Sequence, residues 1–275
     1  MGTLHLVATP IGNLEDISAR ALRTLREVRL IAAEDTRHTR QLLTHFDIHT
    51  PLTSYYEHNK LSKLDAILTA LAGGDVALVS DAGMPAINDP GYELVKAALA
   101  AGYTVSPVPG PSAPIAALAA SGLPTDSFLY LGYLPRKSGE RRELLQSVAE
   151  LPYTLIFLET PHRLLDALDD LQSVLGAREM AAARELTKVH EEIVRGTIGQ
   201  VRTHFTVNEP RGEFTLVVAG GRQTTDGERW AEERLLAAIQ TGLVGGKPAK
   251  ELATELAKPS GWPRREIYNL INKQK

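Results

Sequence analysis

The chain has 275 residues, 43% apolar and 23% charged, with 30 basic against 33 acidic side chains and a net charge of −3. Such a composition fits a soluble globular protein of about two domains and excludes a uniformly basic nucleic-acid coat. The absence of cysteine excludes disulfides, thiolate metal sites and thiol nucleophiles. No apolar run approaches the roughly 18 residues that cross a bilayer. Met1 to Asn13 lack the basic and apolar segments of a secretory signal. The expectation is a cytoplasmic protein without a membrane partner.

Strand and helix signals alternate as far as Ser121. Leu4 to Ala8 is a short apolar run ending in the turn Thr9-Pro10-Ile11-Gly12-Asn13. Asn13 is placed to cap a helix carrying Ile17, Ala21, Leu22, Leu25 and Val28 at helical spacing. Strands are predicted at 30–33, 52–56, 75–80 and 103–108. Helices are predicted around Leu42 to Phe46 and Leu64 to Leu71, and over 92–101 and 112–121. Repeated βα units of this length predict a parallel sheet covered by helices. Ser121-Gly122-Leu123-Pro124-Thr125 reads as a linker. Beyond it, strands are expected at 128–133, 154–158, 180–184, 190–195 and 214–219, and helices at 140–149, 162–175 and 197–205. The closeness of the strands at 180 and 190 predicts a mixed or antiparallel second sheet. A second linker is expected at 220–227, then a helix over 229–240 and two short basic helices. The expected organisation is an α/β protein with an N-terminal domain over 1–121, a second domain over 122–222 and a helical module over 223–275.

That module is basic. From Lys247 to Lys275 the balance is +4, leaving −7 for the rest of the chain. Such asymmetry points to a polyanionic partner or to a solvated helical hairpin. Its helices flank Pro259-Ser260-Gly261, expected as a turn, and Pro263 suits the start of the last one.

Four strand ends carry loops of small, turn-forming and acidic residues: 9–13, 34–37, 80–85 and 108–113. In an open parallel sheet, ligands bind at the carboxyl ends of the strands. Neither G-x-G-x-x-G nor G-x-x-x-x-G-K-[ST] occurs, which argues against a nicotinamide dehydrogenase or a nucleoside triphosphatase. A ligand with adenosine but no phosphate suits these loops, and S-adenosylmethionine is the leading candidate because a carboxylate such as Asp81 would favour its sulfonium. No metal is expected.

The run Val7-Ala8-Thr9-Pro10-Ile11-Gly12-Asn13-Leu14, the segment Ala33-Glu34-Asp35-Thr36-Arg37-His38-Thr39 and the stretch from Leu78 to Gly91 resemble the tetrapyrrole methylase family, in its branch acting on ribosomal RNA. Tyr56-Glu57-His58-Asn59, Pro109-Gly110-Pro111-Ser112-Ala113, Ser121-Gly122-Leu123-Pro124, Gly132-Tyr133-Leu134-Pro135 and Ala183-Arg184-Glu185-Leu186-Thr187-Lys188 extend the resemblance over nearly the whole chain. It implies 2'-O-methylation of a decoding-centre cytidine of 16S rRNA in the small ribosomal subunit. It also implies a homodimer of two-domain α/β protomers with S-adenosylmethionine between the domains. Carried over by position, cofactor contacts are expected at Pro10, at Ser80, Asp81, Ala82 and Gly83, and at Ala86, Ser112 and Ala113. Others are expected at Leu158, Glu159 and Leu186, and at Gly212, Glu213 and Phe214. Relatives acting on porphyrin precursors carry G-x-G-P-G-D and G-G-D-P where this chain has Thr-Pro-Ile-Gly-Asn and Asp-Ala-Gly-Met-Pro, a departure that weighs against a tetrapyrrole-precursor substrate. Met84 stands where Thr is common in the RNA branch. A third alternative is a ligand-sensing, nucleic-acid-binding regulator without activity.

A ribose hydroxyl is a poor nucleophile at neutral pH, so a base helps its transfer chemistry. Asp35 is the expected base, with the N-cap of the following helix as its alternative role. His58 comes second, Glu34 and Glu57 behind it. Arg37, Arg40 and Lys188, the cluster Arg136, Lys137, Arg141 and Arg142, and Arg264 and Arg265 are candidate contacts to RNA phosphate. Tyr55, Tyr56 and Tyr133 are candidates for stacking on a base or for half-buried strand positions.

Overall fold

A computed structural model describes residues 2–56, 60–221 and 230–273. The first sheet consists of β1 (Thr3–Val7), β2 (Leu30–Ala33), β3 (Leu52–Ser54), β4 (Val76–Val79) and β5 (Thr104–Val108), in the order β3-β2-β4-β1-β5. Every pairing in it is parallel. Helices α1 (Ala19–Glu27), α2 (Thr36–His45), α3 (Lys60–Gly73) and α4 (Tyr92–Ala100) connect successive strands. Side chains alternate across the sheet. Ile31, Ala33, Ala77 and Val79 pack toward Leu25 of α1 and Leu43 of α2. Ala32, Val76 and Leu78 pack toward Ile67 and Leu71 of α3 and Leu94 of α4. Burial on both faces explains why β4 reads Val-Ala-Leu-Val without alternation.

The second sheet, β6 (Phe128–Tyr133), β7 (Thr154–Glu159), β8 (Glu179–Arg184), β9 (Glu192–Thr197) and β10 (Phe214–Val218), has the order β6-β7-β10-β8-β9. Only β6 and β7 run parallel; the other pairs are antiparallel. Helices α6 (Ser138–Val148), α7 (Leu164–Leu175) and α8 (Ile198–Val207) cover one face through Leu145, Leu168, Leu171 and Phe205. The other face is covered by α5 (Ala113–Ser121), whose Ala117 and Leu118 pack on Ile156, Ala181, Ala183 and Val217. By packing, α5 belongs to the second sheet and not to the N-terminal unit ending at residue 121. A left-handed Gly122 ends it.

Other elements differ locally from expectation. Asn13 caps only a single 3-10 turn at Leu14–Asp16, whereas the Ser18 side chain accepts from the Ala21 amide and caps α1. Strand β9 begins at Glu192, because the preceding residues fold into a turn in which the Thr187 amide donates to Glu191 Oε2 at 2.6 Å. In the tail, α9 (Glu232–Val244), α10 (Ala249–Ser260) and α11 (Arg264–Lys273) share a core of Leu235, Ile239, Leu252, Ile267 and Ile271. Pro259 lies inside α10, and the chain turns at left-handed Gly261 instead. Of the expected linker, residues 222–227 lie outside the described residues, as does Arg229. Gly220 and Gly221 are pinned, the Gly221 amide donating to Leu151 O at 2.6 Å. Among the described residues no helix is long and apolar enough to cross a membrane, and no three potential metal ligands come together.

Of the cluster at the start of α6, Arg136, Lys137 and Arg142 are exposed, but Arg141 is not a surface cation. Arg141 is 3% exposed. Its Nε donates to Asp170 Oδ2 at 2.7 Å and its Nη1 to Pro135 O at 3.2 Å. The buried Asp170 also accepts from Arg142 Nε at 2.5 Å and from Ser138 Oγ at 3.1 Å. Arg141 therefore clamps α6 to α7 and has no surface from which to reach a phosphate, contrary to the sequence expectation. Arg142 stays half exposed and Lys137 pairs with Glu140. Removing one partner of a buried ion pair leaves an uncompensated charge. Asp170→Ala is expected to lower the unfolding free energy by about 3–5 kcal/mol, and Arg142→Ala by about 1 kcal/mol or less; urea denaturation of the full chain measures both.

Candidate active site

The two sheets face each other across a cleft of about 530 Å³, within the usual range for small-molecule sites. One wall is built from the carboxyl ends of the first sheet. Loops following β1, β2, β4 and β5 contribute Ile11, Glu34, Asp81 to Met84, Asn88, Asp89 and Pro109. The opposite wall comes from α5 and the second sheet, with Ala113, Tyr130, Tyr133, Leu158, Leu186 and Phe214. An isolated bridge holds the first wall together. The Thr9 amide donates to Gly83 O at 2.9 Å, the Gly83 amide to Thr9 O at 3.0 Å, and Thr9 Oγ1 to Ser80 O at 3.2 Å.

Two contacts without side-chain bulk set the cleft's width. A Cβ on Gly12 would stand 2.5 Å from Lys188 Cγ and 2.8 Å from Thr187 Oγ1. A Cβ on Gly132, whose φ is +67°, would stand 2.2 Å from Asn88 Nδ2. In both places a glycine of one unit meets a loop of the other. These loops are themselves strained: Glu185 and Thr187, and Ala86 and Asn88, all have positive φ without being glycine.

The lining is acidic. Glu34, Asp81, Asp89, Glu185 and Glu213 face the cleft with Lys188 as the cation among the lining residues, and Lys188 Nζ lies 2.9 Å from Glu185 Oε1. Burial pushes the Glu34 carboxyl up, and the neighbouring Asp89 and Asp81 add to the effect. Burial likewise raises Asp89, with Asp81 and Glu213 contributing. The Tyr130 phenol is pushed up to about 12 by burial and by Asp89. Concentrated negative charge in a partly buried cleft favours a cationic ligand and repels a phosphate.

The strand-end carboxylates interlock. The Asp81 amide donates to Glu34 Oε2 at 3.4 Å, and the Asp35 amide to Asp81 Oδ1 at 3.0 Å. The Asp35 side chain has another task. Its Oδ1 accepts from the Arg37 amide at 2.7 Å as the N-cap of α2, and its Oδ2 accepts from Arg37 Nη2 at 2.7 Å. The Arg37 guanidinium and amide hold this carboxyl far below the usual carboxylate range. Asp35 thus caps α2 and pairs with Arg37, and it is not among the residues lining the cleft. His58 and Glu57 lie outside the described residues.

Of the expected cofactor contacts, Asp81, Ala82, Gly83, Ser112, Ala113, Leu158, Leu186, Glu213 and Phe214 line the cleft. Pro10, Ser80, Ala86, Glu159 and Gly212 do not. Ser80 is buried and braces its loop, with Oγ donating to Ala82 O at 3.4 Å. Glu159 is buried too, and its carboxylate accepts from the Thr160 amide at 2.7 Å and Arg163 Nη2 at 3.1 Å. Gly212 backs Glu185, whose Oε1 a Cβ there would meet at 2.1 Å. Asp89 and Tyr130 were not singled out from sequence, although the Asn88-Asp89-Pro90-Gly91 turn is a visible signal for the first. Tyr133 is 47% exposed at the cleft, while Tyr55, just after β3, is fully buried in the core of the first sheet.

Beside the cleft, α2 presents Arg37, Arg40, Gln41, Thr44 and His45 along one shallow groove. Arg264 and Arg265 are exposed on the first turn of α11.

Residues 3–202 match the family model of the Tetrapyrrole (Corrin/Porphyrin) Methylases. The chain is 47% identical to Ribosomal RNA small subunit methyltransferase I of Halalkalibacterium halodurans, over 99% of this chain and 96% of that protein. It is 49% identical to the protein of the same name from Synechocystis, covering 98% and 97%. The fold is similar to that of uroporphyrin-III C-methyltransferase from Thermus thermophilus complexed with S-adenyl homocysteine, with a TM-score of 0.54, 20% identity, and coverage of 78% of this chain and 97% of that one.

The raised carboxyls carry a stability consequence. The folded protein binds their protons more tightly than the unfolded chain does, so stability falls as pH rises from the unfolded carboxylate range through the raised folded values. Glu34→Gln and Asp89→Asn are each expected to raise the melting temperature near pH ~7, and the gain should vanish below pH ~4, where both states are protonated. Thermal melts of the ligand-free variants across this range are the measurement; a loss of stability at neutral pH would contradict the assignment.

Proposed function

The chain belongs to the tetrapyrrole (corrin/porphyrin) methylase family, and on that premise we propose that it is an S-adenosylmethionine-dependent methyltransferase of small-subunit ribosomal RNA. What carries this reading is the 47% and 49% identity, over nearly the full length, to relatives named for that activity. The finer proposal is that a homodimer methylates the ribose 2'-oxygen of a decoding-centre cytidine in 16S rRNA.

The cleft supports a donor that is cationic and carries no phosphate. Asp81 and Glu213 would face its charged end, and Leu158, Leu186 and Phe214 offer apolar area for a nucleobase. S-adenosylmethionine, when bound, supplies a methyl group already activated by its sulfonium. The protein's share is alignment: two rigid walls hold the reacting groups in line and exclude water. Proximity of this kind leaves little for side chains to do beyond handling the hydroxyl proton.

The RNA itself would be held outside the acidic cleft. The α2 groove with Arg37 and Arg40, the exposed Arg136, Lys137 and Arg142, and Arg264 and Arg265 on α11 are the proposed phosphate contacts. Lys188 would serve at the cleft only on leaving Glu185. Association into dimers is supported by exposed apolar side chains: Ile87, Ile115 and Phe128 at the cleft and Tyr92 at the start of α4 are between 42% and 66% exposed.

Incubation with labelled S-adenosylmethionine and small subunits lacking the modification should label one cytidine on its ribose. Label on a base, or none, would refute the reading. Replacing Arg264 and Arg265 by alanine should remove up to two phosphate contacts, flattening the slope of log affinity against log salt by at most roughly 1.5 to 2. Binding of subunits measured at several salt concentrations gives the slope, and calorimetry should find donor binding unchanged. An unchanged slope would make α11 a packing element.

A further inference from the structure

We propose that Glu34 is the catalytic base, the group that takes the proton of the ribose 2'-hydroxyl during transfer. The proposal rests on the reading of the protein as a ribose methyltransferase. Two carboxylates stand side by side where β2 ends, and the structure gives them opposite tasks. Asp35 turns to the N-terminus of α2 and to the guanidinium of Arg37. Glu34 turns into the cleft and forms part of its lining.

The other acids of the cleft are less suited. Asp81 is held on the Asp35 amide at 3.0 Å, a closer tie than the 3.4 Å contact by which the Asp81 amide reaches Glu34 Oε2. Glu185 is paired with Lys188 at 2.9 Å. Asp89 shares the hydroxyl of Ser80. Glu213 lies on the second-sheet wall, immediately before β10. Glu34 alone of the five stands at the root of α2, whose Arg37 and Arg40 line the basic groove beside the cleft. A strand of RNA lying along that groove would bring its ribose to Glu34 first.

The surroundings keep this carboxylate basic. Burial acts most, Asp89, Asp81 and Asp35 add like charge from the loops after β4 and β2, the Asp81 amide opposes them, and the Tyr133 phenol faces it from β6. A base nearer neutrality is a better proton acceptor. In the step itself, the ribose oxygen forms a bond to the methyl carbon as the carbon–sulfur bond breaks. Sulfur keeps the electron pair as a neutral thioether, and the hydroxyl proton passes to Glu34 and from there to water.

The test uses the full-length protein, S-adenosylmethionine and small subunits lacking the modification. Glu34→Gln should slow single-turnover transfer by about 10²-fold or more, and should abolish the acid limb of the wild-type pH–rate profile. Glu34→Asp should recover part of the rate. Calorimetry should find S-adenosylhomocysteine bound by Glu34→Gln within about threefold of wild type, separating lost chemistry from lost binding. Independently of turnover, a carbon-13 carboxyl titration of the ligand-free protein should place Glu34 above an ordinary glutamate. An active Glu34→Gln variant, a retained acid limb, or a Glu34 carboxyl that titrates normally would overturn the proposal. So would an inactive Asp35→Asn beside an active Glu34→Gln, which would return the role to Asp35. A wild-type protein that labels no ribose would instead refute the methyltransferase reading on which the proposal rests.

Discussion

Everything at the candidate site depends on where α5 packs. The chain leaves β5 in the first sheet, and the next helix turns its apolar side to the second sheet, against Ile156, Ala181 and Val217. Helix α5 consists mostly of alanine, and small side chains allow close approach to a flat sheet. That docking fixes one sheet relative to the other, and the Gly12 and Gly132 contacts then set how far apart the facing loops stand. A bulkier helix would wedge the two walls apart, and the carboxylates on one would no longer share a cavity with the apolar surface of the other.

The cleft collects charge at a cost. Five carboxyl groups line it, and burial pushes two of them toward the neutral form. Nothing in folding requires such crowding. Local frustration of this kind is expected where a site is shaped for a ligand of opposite charge, which relieves it on binding. The strained residues of the two units, Ala86 and Asn88 on one and Glu185 and Thr187 on the other, fit the same pattern. By contrast, the Asp170 hub, with every partner satisfied, sits away from the cleft and keeps α6 and α7 together.

Much of this was legible in the sequence. The spacing of βα units gave a parallel first sheet, and the short distance between the strands near 180 and 190 gave a mixed second one. The loops at 9–13, 80–85 and 108–113 were identified as ligand-facing from their glycine, proline and acid content. What escaped was tertiary. The burial of Arg141 depends on Asp170, 29 residues away, and a local count of charges cannot anticipate such a partner. The division of labour between Glu34 and Asp35 depends on which neighbour captures the helix cap, and adjacent residues at a strand end point opposite ways. The docking of α5 carried no signature, because a short helix apolar on most sides offers no single stripe to orient it.

The order of strands in the first sheet also has a temporal side. Strand β1 sits between β4 and β5, and Thr3 to Val7 pair in parallel with Thr104 to Val108. The first strand to be synthesised therefore waits for the last. At roughly 5–20 residues per second on the ribosome, on the order of 5–20 s separate the two. During that interval β2, α2 and β3 can assemble locally; the apolar β1 gains β4 as its first neighbour and keeps its other edge open until β5 is made. The bridge between Thr9 and Gly83 can close once the loop after β4 is made, but the first-sheet wall of the cleft is completed only when the loop after β5 follows. Nascent chains would thus be most exposed to aggregation or chaperone capture through Leu4, Leu6 and Val7, a vulnerability set by topology and not by the stability of the finished fold.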